Sequence, residues 1–224
     1  MSIYAILRHI PWLAAILWVV PAFSQDTPQQ IDIDPEIIKD SPVLQRWLKQ
    51  IPDVGAEIQN DPSFRPRVRL GYSQYPANGQ AGGWDASVKE VLLDRSGIAL
   101  NADYHGRGNR SSYGIEANYY VLPLGGYFNL APVVGYRKID TDAYQRDGVN
   151  VGAKLLLVPA RGGGGDIALQ QTWLNLGTAG EVGISSISTG YALTNQLRLS
   201  GEIQWQNSRE IQESRVGIGL EWMP

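Results

Sequence analysis

The amino-acid sequence predicts an all-β fold: a closed antiparallel transmembrane β-barrel of about ten strands over residues 67–224, preceded by a signal peptide at 1–24 and a short helical segment at 25–66. Three observations predict it. From Arg67 onward apolar and polar residues alternate with a period of two, the period of a strand that presents one apolar face. The longest apolar run, near the N-terminus, is about ten residues, half of the roughly 20 a membrane-spanning helix needs. The aromatic residues of the alternating region gather at the two ends of the segments, where membrane–water interfaces would lie.

Composition narrows the classes further. The chain has no cysteine, which excludes a disulfide framework and thiolate metal sites. A net charge of −3 and the lack of a basic patch leave no surface for nucleic acid. Glycine is abundant while charged residues make up only 18%, as suits many short strands joined by turns.

Residues 1–24 carry Arg8, then the apolar run 11–20, then Pro21, with Ala22 and Ser24 as the small residues before a cut at Gln25. That order is the order of a secretory signal peptide. In 25–66, Asp34-Pro35 and Ser41-Pro42 each place a capping residue before a proline suited to a first helical turn. Val43, Leu44, Trp47, Leu48 and Ile51 then follow helical spacing. This amphipathic piece is expected to cap or plug the barrel's periplasmic mouth, or to dock a periplasmic partner through 41–60.

The strands follow in order. Val68, Leu70 and Tyr72 share one face, and Ile98, Leu100, Ala102 and Tyr104 the next. Tyr113, Ile115, Ala117 and Tyr119 make a third, and Phe128, Leu130, Pro132, Val134 and Tyr136 a fourth. Odd positions of 149–157, Ile167/Leu169/Trp173, Leu197/Leu199/Ile203/Trp205 and Val216/Ile218/Leu220/Trp222 complete the clear cases. Segments 84–93 and 182–191 alternate poorly but are needed by the spacing. Pro132 removes a ladder donor and predicts a bulge or frayed pairing. Ten strands is an even number, so both barrel ends fall on one side. With that side taken as periplasmic, the outer loops are 76–83, 106–111, 140–148, 175–181 and 207–214. The inner turns are 94–97, 122–126, 160–165 and 193–196, on the whole shorter, as such barrels require.

The signal segment, the alternating strands and the terminal Val216/Ile218/Leu220/Trp222 pattern together resemble the small outer-membrane β-barrel proteins of bacteria. Residues 119–125 and 131–137 also look similar to uncharacterised cyanobacterial envelope proteins. The resemblance implies residence in the outer membrane, with its lipid and its assembly machinery as partners. It implies a girdle made by Tyr72, Tyr104, Tyr136, Trp173, Trp205 and Trp222. Met223 and Pro224 depart from the pattern, in which the aromatic is last.

Chemistry is sparse. The polar parity gathers Arg67, Arg69, Glu116, Arg137, Lys154, Arg198, Glu202 and Glu221, a candidate network filling the lumen or lining a narrow passive pore. Gly217 and Gly219 share that face and leave room at the closing seam. Asp103 and His105 with Asp140 and Asp142 resemble the omptin protease pairs, but in reversed order and with the second pair off the lumen parity. Ser111, Ser112 and Glu116 near His105 lie in no nucleophile motif. The glycine run 162–165 lacks the Lys-Ser/Thr of a phosphate cradle, and Asp140, Asp142 and Asp147 lack calcium-loop spacing. The sequence therefore predicts no catalytic residue, metal or cofactor. The function expected is a non-enzymatic barrel of structural or passive-pore type. The alternatives are an exported soluble barrel binding an apolar ligand and an outer-membrane hydrolase. The direction in which Leu199, Ile203 and Trp205 point separates the first two.

Overall fold

A computed structural model describes residues 41–43, 61–76, 81–93, 96–108, 110–159 and 164–224. The expected signal peptide lies outside them. So does the expected helical segment with its docking stretch 41–60, apart from 41–43 and 61–66. Ten strands follow: β1 (Arg67–Tyr75), β2 (Ala81–Leu92), β3 (Ile98–Arg107), β4 (Arg110–Tyr119), β5 (Phe128–Asp140), β6 (Gln145–Leu157), β7 (Gly165–Leu174), β8 (Val182–Ala192), β9 (Leu197–Asn207) and β10 (Gln212–Trp222). Each pairs antiparallel with its neighbour in sequence, and β1 pairs with β10, from Val68 opposite Trp222 to Gln74 opposite Val216. The sheet is a closed barrel with no free edge. Arg67 and Trp222 lie at the same end, called here the terminal end.

The alternation has the polarity that places apolar side chains outside. Leu199, Ile203 and Trp205 point away from the axis, about 40% exposed, as do Leu70, Ile115, Ile218 and Leu220. The charged parity is buried inside. Among the described residues the interior between the mouths is charged, which speaks against a soluble carrier of an apolar ligand.

The two poorly alternating segments are strands for identifiable reasons. In β2 the register shifts between Val88 and Val91. Glu90 there adopts φ of 57°, a left-handed value uncommon for a side-chain-bearing residue, and its N–H bonds Asn101 Oδ1 at 2.9 Å. The bulge turns both Lys89 and Glu90 inward and breaks the period. In β8, Val182 and Ile184 face inward into a small apolar cluster while Ser185 and Thr189 face outward, which blurs the pattern. Pro132 sits at the frayed point the sequence implied: the β4–β5 ladder stops at Val133, one residue short of it.

The loop lengths are a correction. The connections at the end far from the termini span 76–80, 108–109, 141–144, 175–181 and 208–211. Those at the terminal end span 93–97, 120–127, 158–164 and 193–196, and are as long or longer. Strand pairing continues beyond the apolar belt, for instance from Lys138 opposite Asp147 to Asp140 opposite Gln145. There the outward face turns polar at Lys138, Asp140, Gln145 and Asp147 while Ile139 is buried inward beside Arg146, so the apolar-out pattern stops although the backbone ladder goes on. Loop length therefore gives no orientation.

Apolar side chains cluster at both mouths. At the terminal end a turn over 61–65 inserts Phe64, 1% exposed, against Tyr120, Ala99, Ala131, Leu156, Val158 and Ala168. Phe64 and Tyr120 meet edge to face, with ring centroids 5.9 Å apart. Arg65 holds this turn by donating to the carbonyls of Asn195 (2.8 Å), Met223 and Pro224. Met223 is fully buried and its N–H bonds Gln196 O at 2.8 Å, so the residues after the final aromatic are packed into the mouth. At the far end Ile139, Tyr144, Leu174, Val182 and Ile184 form a second cluster.

Candidate functional site

Between the two apolar clusters lies a charged interior. The eight lumen residues picked out by parity all face it, and all form ion pairs there. Asp103, on the same parity, joins them, and the structure adds Asp85, Lys89, Glu90, Asp166 and Arg215. The inward cations are then Arg67, Arg69, Lys89, Arg137, Lys154, Arg198 and Arg215. The inward carboxylates are Asp85, Glu90, Asp103, Glu116, Asp166, Glu202 and Glu221. Within this central set seven cations meet seven carboxylates, as burial of charge demands, and Arg110 pairs with Glu213 farther toward the far end.

The pairs form tiers. Nearest the terminal mouth, Glu90 accepts from Lys154 Nζ at 2.5 Å and from Tyr120 OH at 2.7 Å, with Arg67 Nη2 at 3.8 Å. Burial and then the adjacent Glu90 carboxylate push the Tyr120 phenol well above its ordinary value, which keeps it a donor. Arg198 meets Asp166 at 2.5 Å and Glu221 at 3.0 Å, and it also donates to Pro62 O at 3.2 Å. The mouth turn is thus tied to the ion pairs beneath it.

In the middle tier Arg137 clasps Asp103 with two parallel bonds of 2.9 and 2.7 Å, the fork geometry guanidinium favours, and donates to Glu116 at 2.9 Å. Glu116 also accepts from Asn150 (2.7 Å) and Gln170 (2.9 Å). Across the lumen Arg69 pairs with Asp85 and donates from Nε to Ser200 Oγ at 2.9 Å. The room expected at Gly217 and Gly219 is filled by this arginine: a Cβ on Gly219 would stand 2.7 Å from Arg69 Nε and 2.9 Å from Leu70 O. The glycines do not open the seam. They let the guanidinium lie flat across it.

Toward the far end Arg215 pairs with Glu202, donates to Gln204 Oε1 (2.6 Å) and meets His105 Nδ1 at 2.9 Å. A guanidinium only donates, so Nδ1 accepts and the ring proton sits on Nε2, 3.2 Å from Asp103 Oδ2. Both ring nitrogens are thereby engaged, by arginine and carboxylate. Asp142 is mostly exposed and paired with Arg110, and Asp140 lies on the outward parity, so neither faces His105. Among the described residues no His, Asp and Glu cluster could hold a metal ion.

The residues that sequence reasoning missed have a common cause. Asp85, Lys89 and Glu90 lie in the bulged strand. Asp166 and Arg215 lie just outside stretches with clean alternation. Extending the parity of Ala168 and Gln170, and of Gly217 and Gly219, by one step would have found the last two. The space that remains is a central polar chamber of about 100 Å3, with voids of about 50 Å3 toward the far end and about 20 Å3 toward the terminal end. Of the seven inward cations only Arg198 does not line the chamber, whereas Asp85, Glu90 and Glu221 do not reach it.

Outside, Tyr72, Tyr104, Tyr136 and Trp205 form a band near the far rim and Trp222 lies at the terminal rim, all exposed, with Trp173 half-buried on the same outward face. Trp84 packs against Tyr104, with ring centroids 4.8 Å apart and planes tilted by 34°.

No protein-family model matches the chain, and no curated protein matches it. Solved structures similar to it include the KdgM porin (10% identity, TM-score 0.43), covering 70% of this chain and 99% of that one. The NanC porin is similar at 11% identity and a TM-score of 0.44, covering 71% and 100%. Outer membrane phospholipase A from Escherichia coli is similar at 10% identity and a TM-score of 0.37, covering 70% and 95%. With scores below 0.5, and with porins and a phospholipase side by side, these likenesses decide nothing about activity.

Proposed function

We propose that the protein is a bacterial outer-membrane β-barrel whose interior is sealed, with a structural rather than a conducting or catalytic role. The observation that supports this is the inversion of the usual protein: charges are buried in pairs while Leu70, Ile115, Val134, Ile218 and Leu220 are exposed around the barrel. A soluble monomer rarely exposes a continuous apolar belt, whereas lipid requires one. The aromatic bands at the rims fit two membrane interfaces. A closed barrel also satisfies every strand's backbone groups without water. Against a pore stand Phe64 in one mouth, the Ile139 cluster in the other and the balanced ion pairs between them.

Two measurements test the reading. After carbonate washing, the full-length protein should float with outer membranes on a density gradient; recovery in the soluble fraction would sink the membrane assignment. In a planar bilayer it should give no steady conductance, and reproducible single-channel steps would replace the sealed barrel with a pore.

A further inference from the structure

The central chamber and the void toward the far end have three lining side chains in common, His105, Gln204 and Arg215. These three are bonded in a row. Arg215 Nη1 meets His105 Nδ1 at 2.9 Å, and Arg215 Nε and Nη2 donate to Gln204 Oε1 at 3.0 and 2.6 Å. His105 stands on β3, Gln204 on β9 and Arg215 on β10, with β1 and β2 between β3 and β10 in the closed sheet. The row therefore crosses the lumen as a chord and forms the septum between the two spaces. Thr141, in the β5–β6 connection, lines the far void, which lies just inside the far rim. One link of the septum depends on a proton. A guanidinium only donates, so Arg215 can meet Nδ1 only while that nitrogen is bare.

We propose that His105 is a proton-operated gate in this septum: a proton taken up at Nδ1 expels the Arg215 guanidinium from the ring and joins the far void to the central chamber. An imidazolium carries an N–H on both nitrogens, so Nδ1–H would point at Arg215 Nη1. Turning the ring over exchanges the nitrogens and still leaves a donor against the arginine. Arg215 has another anchor, because its Nη2 already pairs with Glu202, while Nη1 keeps only Ser73 Oγ at a loose 3.3 Å. The charges around the ring come from several strands. The carboxylates are Asp103 on its own strand, Asp85 directly opposite on β2, and Glu202 on β9. The cations are Arg215, Arg137, which clasps Asp103 from β5, and Arg69, which pairs with Asp85 from β1. On β4 the neutral Ser112 stands directly opposite the ring. With a neutral ring these cations and carboxylates match, and a proton adds one positive charge. The cation in direct contact is the one it displaces. The chamber of about 100 Å3 is then reached through the far void, while Phe64 still packs at the terminal mouth. The change gives a pocket, not a through-passage. It goes beyond the structural role proposed above and does not depend on where the barrel resides.

The chain has no cysteine, so one introduced thiol reports on the chamber. Ser87→Cys places it at a hydroxyl that lines the chamber but not the far void and has no hydrogen-bond partner. The probe is a small neutral thiol reagent, methyl methanethiosulfonate, added to the full-length protein refolded in detergent over a series from neutral to acid pH. Each rate is divided by that of the same thiol in a His105→Asn background. That amide keeps an acceptor near the Nδ1 position and takes no proton, so the division cancels the thiol's own ionisation. The two backgrounds should label alike at neutral pH. The ratio should then rise about tenfold per pH unit as the ring begins to titrate, and level off once it is protonated. Nitrogen NMR of the ring should show the proton on Nε2 at neutral pH and Nδ1 protonated over the range in which the ratio rises. If Ser87→Cys loses the folded gel mobility, Ser186→Cys on the same chamber takes its place. A flat ratio while the ring titrates overturns the gate. So does a ring that stays neutral at every pH at which the barrel is folded, or one that carries its neutral-pH proton on Nδ1.

Discussion

Asp85→Ala is the most searching perturbation of the sealed interior. The Asp85 carboxylate is wholly buried and pairs with the Arg69 guanidinium, itself 1% exposed. It also accepts from Ser73 Oγ at 2.7 Å. Truncation leaves Arg69 with a hydroxyl on Nε and no carboxylate of its own. Breaking one side of a fully buried pair costs about 3–5 kcal/mol, because the remaining charge is uncompensated. That is roughly a hundredfold or more in the folding equilibrium. Converting both partners, Asp85→Ala with Arg69→Met, removes the stranded charge and should recover most of the loss. The assay is urea-titrated folding into lipid vesicles, read by the mobility difference between folded and heat-denatured barrel on a gel. A single variant within about 0.5 kcal/mol of the parent would show a solvated lumen and refute the reasoning. A double variant no better than the single would refute the account of why the single is weak.

Three further outcomes are expected. Ile218→Arg, on the outward face of β10, should cost about 2–4 kcal/mol in vesicles if that face meets the lipid midplane; a change within about 0.5 kcal/mol would mean that it meets water. Phe64→Ala removes a fully buried ring from the terminal mouth and should lower stability by about 3–5 kcal/mol. The same variant should admit a small polar fluorescence quencher to the lower lumen, which the parent excludes. Gly219→Ala sets a methyl against Arg69 Nε and Leu70 O, and overpacking of this kind costs about 1–3 kcal/mol; unchanged urea titration would contradict the flat seating of Arg69.

Strand number and facing were legible because lipid and lumen sort side chains by polarity, and that sorting is written at period two. Leu199, Ile203 and Trp205 on one parity with Arg198, Glu202 and Gln204 on the other leave little choice of face. What was illegible lies where that sorting stops. Above the apolar belt, Arg146 and Asp147 alternate inward and outward with no change of polarity, so ladder and loop read alike. At Glu90 one extra residue shifts the parity, and a bulge has no residue signature of its own when its left-handed position is not glycine. The partners of each charge were also out of reach. Parity placed Arg69 and Glu221 inside, but Arg69 pairs with Asp85 and Glu221 with Arg198. Those choices depend on curvature and on which side chain lies over a glycine.

The turn ahead of β1 has a bearing on lifetime as well as on closure. Arg65 precedes the first strand, yet its acceptors belong to the β8–β9 connection and to the two residues after β10. These bonds, and the seating of Phe64 beneath them, can form only once β1 and β10 have met. Interactions made after the rate-limiting step leave the speed of folding nearly unchanged and act on the return path. The turn is therefore a latch on the zipped seam. Its contribution is to kinetic persistence: opening the seam from its terminal end means first releasing Arg65 from Met223 and Pro224.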